Sequence, residues 1–336
     1  MRNKKSFGCV LAVVITVLLA GCANVSVSVR SESDSNEAST TAINVACLKG
    51  PTAIGLVHLM DSSKQLKSEN NYNFNMYTGA DEILPQMVSG DMDIALVPAN
   101  VACVLYNKTK GAVSVMDINT LGVLNAVSGD ESVDGIASLS GRTVYLTGKG
   151  TTPDYVLNYL LSQNEVSDVT LEYKSEPTEV VAILTDNPDA IGILPQPFAT
   201  ASTMKNQELK IVMSLTEEWD KLNSESSMVT GVTVVRNDFL KENPEACIAF
   251  LNDHKESVYR VLEDVDKTAQ LCVDAGIMDN PNLAKAAIPE CNVTCIDGDE
   301  LKTRLSGYLK VLYEADPTSV GGALPGDDFY YESKAK

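Results

Sequence analysis

Histidine is nearly missing from this chain: His58 and His254 are the only two in 336 residues. Each falls on a segment with helical spacing, away from the turns described below, so acid–base chemistry built on imidazole is not expected there. Neither G-x-S-x-G nor H-E-x-x-H occurs, which removes the nucleophile elbow and the helical zinc-protease motif. Basic residues are also scarce, with 26 Lys and Arg against 45 Asp and Glu and a formal net charge of −19. A surface that acidic repels nucleic acid and anionic headgroups, so nucleic acid is not expected as a partner. Beyond Ala20 no apolar run approaches the roughly 20 residues that a bilayer span requires. Tryptophan occurs once, as Trp219, after a predicted strand, where it would report motion of any neighbouring cleft.

What is present begins at the N-terminus. Arg2, Lys4 and Lys5 precede an apolar run from Phe7 to Ala20 that is too short for a span and ends in small residues, the pattern of an export signal. The run closes in Leu19-Ala20-Gly21-Cys22, which resembles the lipobox of bacterial lipoproteins. That resemblance implies cleavage before Cys22 and a diacylglycerol on its thiol. Two or more acyl chains, palmitate among them, anchor stably where one does not. The expected location is the extracytoplasmic face of the bacterial cell membrane. Residues 1–21 are read as a lipoprotein signal peptide. Residues 22–42, rich in serine and acidic side chains, are read as a disordered tether. Loss of the three basic signal residues takes the mature charge to about −22.

Six cysteines remain after Cys9 and Cys22. Cys47 lies in an apolar strand, and Cys103 and Cys247 lie on apolar helix faces, so buried free thiols are expected. Cys291 and Cys295 are spaced to bridge or to bind metal, but no second pair or neighbouring histidine in the sequence completes a zinc set, and no metal or cofactor is expected.

From Ile43 onward the chain repeats a short apolar run, a turn and a helical pattern, the grammar of an α/β fold. The repeats begin with "INVACLKG", "YNFNMYTG" and "DIALVPA", the last followed by Asn100 as an expected N-cap. "AVSVMD" and "LGVLNAVS" follow, and the polar stretch "GDESVDGIASLSG" is read as the first crossing between lobes. "RTVYLTG", "VTLEYKS", "AIGILP" and "LKIVMSL" build a second set, and "SESSMVTGVTVVR" leads back to a mostly helical last third. The expected architecture is two α/β lobes joined by two hinge crossings, with residues 43–128 and 231–336 in lobe 1 and residues 129–230 in lobe 2.

The stretch "TGKGTTPDYVLNYLL" tests a phosphate-loop reading. A Walker A loop needs glycine five residues before Gly148, where Thr143 stands, and needs Ser or Thr after Lys149, where Gly150 stands. A dinucleotide G-x-G-x-x-G fails at Pro153. What remains is a helix start, with Thr152 as N-cap, Pro153 at the first helical position and Val156, Leu157, Leu160 and Leu161 as the buried stripe. Such a terminus presents unpaired amides and a positive dipole end. Five turns of this kind follow strands: Gly50-Pro51-Thr52, Thr78-Gly79-Ala80, Pro98-Ala99-Asn100, Gly148 to Pro153, and Pro195-Gln196-Pro197. Parallel strands place them on one edge, where open α/β sheets bind ligands.

The lipobox, "YTGADEILPQMVSGDMDIALVP", "LSGRTVYLTGKGTTPDYVLNYLL", "GILPQPFA" and "TGVTVVRNDFLKENPEACIAFL" together resemble substrate-binding proteins of ABC importers. The likeness is to the branch that binds nitrate, sulfonates, taurine and thiamine-pyrimidine precursors, and it runs from about Ile43 to Leu262. It implies a type II periplasmic-binding-protein fold that closes on a small-molecule solute as a monomer and delivers it to an ABC permease and its ATPase. Carried over by position, the ligand-facing residues are Thr52, Thr78, Gly79, Asn100, Gly150, Thr151, Thr152 and Gln196. Sulfonate and taurine binders commonly carry tryptophan or a charged group where this chain has Gln196 and Phe198, which points away from a sulfonate. Catalytic residues are not expected: the thiamine pyrimidine synthase that shares the fold carries a cysteine cluster and a histidine that this chain lacks. A membrane-anchored solute sensor on the same fold is the alternative reading, and an enzyme of the thiamine-pyrimidine type is the more distant one.

Overall fold

The computed structural model describes residues 42–222 and 226–332. The signal segment, Cys22 and the tether lie outside the described residues. Ordinary βα alternation builds the first part: β1 (Ala42–Leu48), α1 (Pro51–Ile54), α2 (Val57–Lys64), β2 (Asn71–Tyr77), α3 (Ala80–Ser89), β3 (Ile94–Pro98), α4 (Ala99–Thr109) and β4 (Val113–Leu121). The chain then crosses to β5 (Leu124–Ser128), β6 (Thr143–Thr147), α5 (Thr152–Gln163), β7 (Thr170–Lys174), α6 (Pro177–Asp186), β8 (Ile191–Pro195), α7 (Phe198–Lys205), β9 (Lys210–Ser214) and α8 (Leu215–Leu222). It returns through β10 (Val229–Arg236), α9 (Asn237–Glu242), α10 (Pro244–Glu263), α11 (Val265–Asp274), α12 (Pro281–Ala287), β11 (Val293–Ile296) and α13 (Gly298–Ala315).

Two sheets result, a six-stranded one in the order β11-β4-β10-β3-β1-β2 and a five-stranded one in the order β7-β6-β8-β5-β9. The strand Leu124–Ser128 corrects the sequence reading. It was expected to precede the first crossing, but it pairs with β8 and β9 in the second sheet, so the crossing comes at Gly122-Val123. The polar stretch after Ser128 is a surface connection that carries a short 3₁₀ turn, Ile136–Leu139. An apolar strand looks the same in either sheet, which is why periodicity alone misplaces it.

Period-two burial divides the first sheet between two cores. Ile43, Val45 and Cys47 of β1, with Ile94 and Leu96 of β3, face a core shared with α2, α10, α11 and α12. Ala46, Ala95 and Val97 face the opposite way, into a core that includes Cys103 and Leu105 of α4 and Leu305, Tyr308 and Leu309 of α13. That second core continues into the second lobe through Leu124, Val144, Val156, Leu160 and Trp219. A smaller core under α6 and α7 contains Val127, Val180, Leu184 and Leu194. The lobes touch through α5 against α13 and through α7 against α12. Cys47, Cys103, Cys247, Cys272 and Cys291 are buried and Cys295 is half-buried, and none of the six is bridged.

Candidate functional site

Strand register decides where the five turns lie. β1, β2 and β3 run parallel, so the turns after Leu48, Tyr77 and Pro98 share one edge of the first sheet. β10 runs antiparallel with Gly231 opposite Pro98, and β4 runs antiparallel to β10, so the end of β4 and the start of β10 reach that same edge. In the second sheet Leu124 at the start of β5 pairs with Pro195 at the end of β8, and Asn125 pairs with Ser214 at the end of β9. β6 is parallel to β8, so Thr147 ends on this edge too. The carboxyl edges of both sheets therefore meet at the two crossings. Gln196 sits at the junction itself, its backbone N–H donating to the Val123 carbonyl at 3.0 Å.

Each predicted residue then has a specific environment. Thr52 is buried on α1, and its Oγ1 donates to the Leu48 carbonyl at 3.4 Å. A Cβ at Gly231 would lie 2.5 Å from Thr52 Cγ2 and would also meet Asn119 Oδ1, so glycine allows β10 to pass this close. Asn100 is not the cap. α4 starts one residue earlier, with Pro98 at the cap position, and Asn100 Nδ2 donates to the Ser319 carbonyl at 3.3 Å. Thr152 is not a cap either: Thr151 takes that position, and its hydroxyl donates back to the Gly148 carbonyl at 2.6 Å. The turn needs Gly148 (φ 76°) and Gly150 (φ 71°) in the left-handed region, where a side chain is strained. Thr152 hydrogen-bonds Tyr308, whose phenol burial pushes up in pKa.

Carboxylates of the chain itself occupy two of the helix starts. Glu82 Oε1 accepts from Thr78 Oγ1 at 2.8 Å, from Gly79 N at 3.0 Å and from Thr78 N at 3.2 Å. The bond from the Thr78 hydroxyl, followed by those from the two backbone amides, lowers the pKa of Glu82. Asp154 Oδ2 accepts from Gly150 N at 2.7 Å, while Oδ1 accepts from Tyr173 Oη at 2.6 Å. Burial, with Asp154 next, pushes Tyr173 up to about 12. Amides and dipole ends that would attract a small anion are thus already matched with negative charge.

Gln196 differs from these. It is 2 % exposed, its Oε1 accepts from Thr200 Oγ1 at 2.8 Å, and its Nε2 has no hydrogen-bond partner. Thr216 Oγ1 is likewise buried without a partner, close to Gly122 at the first crossing. Unpaired buried polar atoms are rare and each calls for an explanation. Sequence reading singled out Gln196 from its turn but missed Thr216, which follows an antiparallel strand with no glycine or proline to mark it. It also missed Asp316, whose Oδ2 accepts from Tyr155 Oη at 2.9 Å across the lobes. A groove of about 600 Å³ lined by Tyr72, Phe74 and Met76 runs along β2, and none of the predicted residues lines it.

No family model matches the sequence, and no curated relative matches it. Solved structures do. An ABC transporter protein from Parabacteroides distasonis is 22 % identical with a TM-score of 0.72, covering 88 % of this chain and 100 % of that one. The periplasmic aliphatic sulphonate binding protein SsuA from Escherichia coli is 12 % identical with a TM-score of 0.68, covering 87 % and 92 %. The ligand-binding component of an ABC-type import system from Staphylococcus aureus, solved with zinc bound, is 15 % identical with a TM-score of 0.62, covering 88 % and 97 %. The chain has the two-lobed periplasmic-binding-protein fold. Of these structures, the Escherichia coli protein is a sulphonate binding protein and the Staphylococcus aureus one is the ligand-binding component of an import system.

Within that fold both histidines belong to lobe 1 rather than to the crevice. His58 Nε2 lies 2.8 Å from Thr268 Oγ1, and His254 Nδ1 lies 3.1 Å from Asp117 Oδ2. No helix among the described residues is long and apolar enough to cross a membrane.

Proposed function

We propose that this chain is an extracytoplasmic solute-binding protein, anchored through Cys22, that takes a small uncharged molecule between its lobes and passes it to an ABC permease and its ATPase. The observation that carries the reading is the meeting of both carboxyl edges at the crossings, with Gln196 Nε2 buried and unpaired at the junction. An unpaired amide donor suits a ligand with a carbonyl or ring-nitrogen acceptor. Glu82 and Asp154 already fill the helix starts of α3 and α5, which argues against a small anion such as a sulfonate. Thr52, Thr78, Gly79, Asn100, Gly150, Thr151, Thr152 and Gln196 line the two sides of this crevice. In this reading the chain has no catalytic role and acts as a monomer.

Calorimetric titration of the mature chain with uncharged heterocycles and with aliphatic sulfonates tests the reading. One-to-one binding of a heterocycle is expected, weakened at least about tenfold in Gln196→Met, which also removes the acceptor of the Thr200 hydroxyl and should lower unfolding free energy by about 1 kcal/mol. Tight sulfonate binding, or turnover of any solute, would overturn it. The anchor is tested separately, since Cys22→Ala should abolish membrane retention and incorporation of labelled palmitate.

A further inference from the structure

Three side chains remote in sequence converge where α10 packs over the edge of the first sheet. Asp117 comes from β4, His254 from α10 and Cys295 from the edge strand β11. An Asp117 carboxylate oxygen, a His254 ring nitrogen and Cys295 Sγ all lie within 4.8 Å of one another. We propose that these three residues bind one zinc-class divalent cation, outside the solute crevice.

The donor set favours that class. One oxygen, one imidazole nitrogen and one thiolate sulfur form a mixed set of the kind that borderline-soft Zn²⁺ accepts, whereas Mg²⁺ and Ca²⁺ require oxygen. Zinc bonds of about 2.0–2.3 Å place tetrahedral ligand atoms roughly 3.3–3.7 Å apart, so the three atoms need close by only about one ångström. Asp117 Oδ2 and His254 Nδ1 are already 3.1 Å apart.

Supporting contacts are in place as well. The second oxygen of Asp117 accepts from Thr233 Oγ1 at 2.8 Å, and Thr233 Oγ1 accepts from Asn119 Nδ2 at 3.2 Å. Such outer partners fix the direction of a ligating carboxylate. Asp117 and His254 are fully buried. Cys295 is half-buried on the outermost strand of its sheet. As the metal–sulfur bond forms, the Cys295 thiol releases its proton to solvent, one per ion bound.

The test uses the full chain without an affinity tag, stripped with chelator and titrated with zinc chloride in a calorimeter, with bound metal counted by mass spectrometry. Cobalt(II) serves as the optical probe. One zinc per chain is expected, with a thiolate-to-cobalt charge-transfer band. Cys295→Ser and His254→Gln should each weaken zinc binding more than about tenfold, and Cys295→Ser should abolish the band. Cys103→Ser should change neither readout. If His254→Gln fails to fold by circular dichroism, Cys295→Ser decides alone, because serine preserves shape at that half-buried edge position. Substoichiometric zinc in the wild-type chain overturns the proposal, and so does undiminished affinity in Cys295→Ser, which would assign the ion to surface carboxylates. Neither result depends on the identity of the solute.

Discussion

Asp154 holds three groups at once: Gly150 N on Oδ2, and Tyr173 Oη and Asn158 Nδ2 on Oδ1. An asparagine keeps one acceptor oxygen and turns the other position into a donor, so either the Gly150 amide loses its acceptor, or Tyr173 Oη must reverse to accept while Asn158 Nδ2 loses its own. Asp154→Asn is expected to lower unfolding free energy by about 1 kcal/mol, read from urea midpoints at unchanged slope. An unchanged midpoint would mean that water already satisfies Gly150. At this scale the sequence was partly readable. Gly148, Gly150 and Pro153 mark a turn by chemistry that only those residues supply. The carboxylates that close the two turns, Glu82 and Asp154, were seen only as part of a net charge, because their partners are backbone amides with no sequence signature.

Among the helices, α2 and α11 are joined by a buried contact between His58 and Thr268. Thr268 Oγ1 lies 2.8 Å from the Asp264 carbonyl, which takes its single proton, so His58 Nε2–H donates to the Thr268 oxygen. Burial is the first cause that lowers the pKa of His58, and Lys267 and Arg260 add to it. A lowered value in the fold means that the unfolded chain binds the proton first. The contribution of His58 is therefore complete above its ordinary pKa of 6.5 and declines as pH falls below that value. His58→Gln should cost about 1 kcal/mol near pH 7.5, and its deficit against wild type should narrow toward pH 5 in calorimetric melts. A deficit that is constant with pH would show that the imidazole does not titrate on unfolding. Helices such as α10 were legible from Asn243-Pro244 and the spacing of Ala246, Phe250 and Leu251, because cap and stripe are local. That His254 on this helix meets Asp117 and Cys295 was not legible, since three elements separated by 137 and 41 residues must first pack.

For the whole molecule the two crossings control how the lobes sit. They lie side by side: a Cβ at Gly122 would be 2.8 Å from Met228 Cβ and would also meet Thr216 Oγ1. Asn292 pins the first crossing, with its Nδ2 donating to the Gly122 carbonyl at 2.5 Å and its carbonyl accepting from Leu121 N at 3.0 Å. Farther out, Trp219 of lobe 2 is fully buried, donates from Nε1 to Ser226 Oγ at 3.0 Å, and packs on Tyr159 and Tyr308 at ring-centroid distances of 4.6 and 5.7 Å. Tyr308 belongs to α13 and Trp219 to α8, so this aromatic cluster is made by both lobes and depends on the angle between them. Gly122→Val puts branched carbon where Met228 and Thr216 now stand. The crossings must move apart, at about 1–3 kcal/mol of stability. Because the carboxyl edges meet at that point, the same displacement opens the crevice and draws Tyr308 away from Trp219. The expected result is a larger radius of gyration in small-angle scattering, a red-shifted tryptophan emission and weaker solute binding, all in one variant. If stability falls while scattering and emission stay at wild-type values, the crossings are only tightly packed and do not govern the lobe angle.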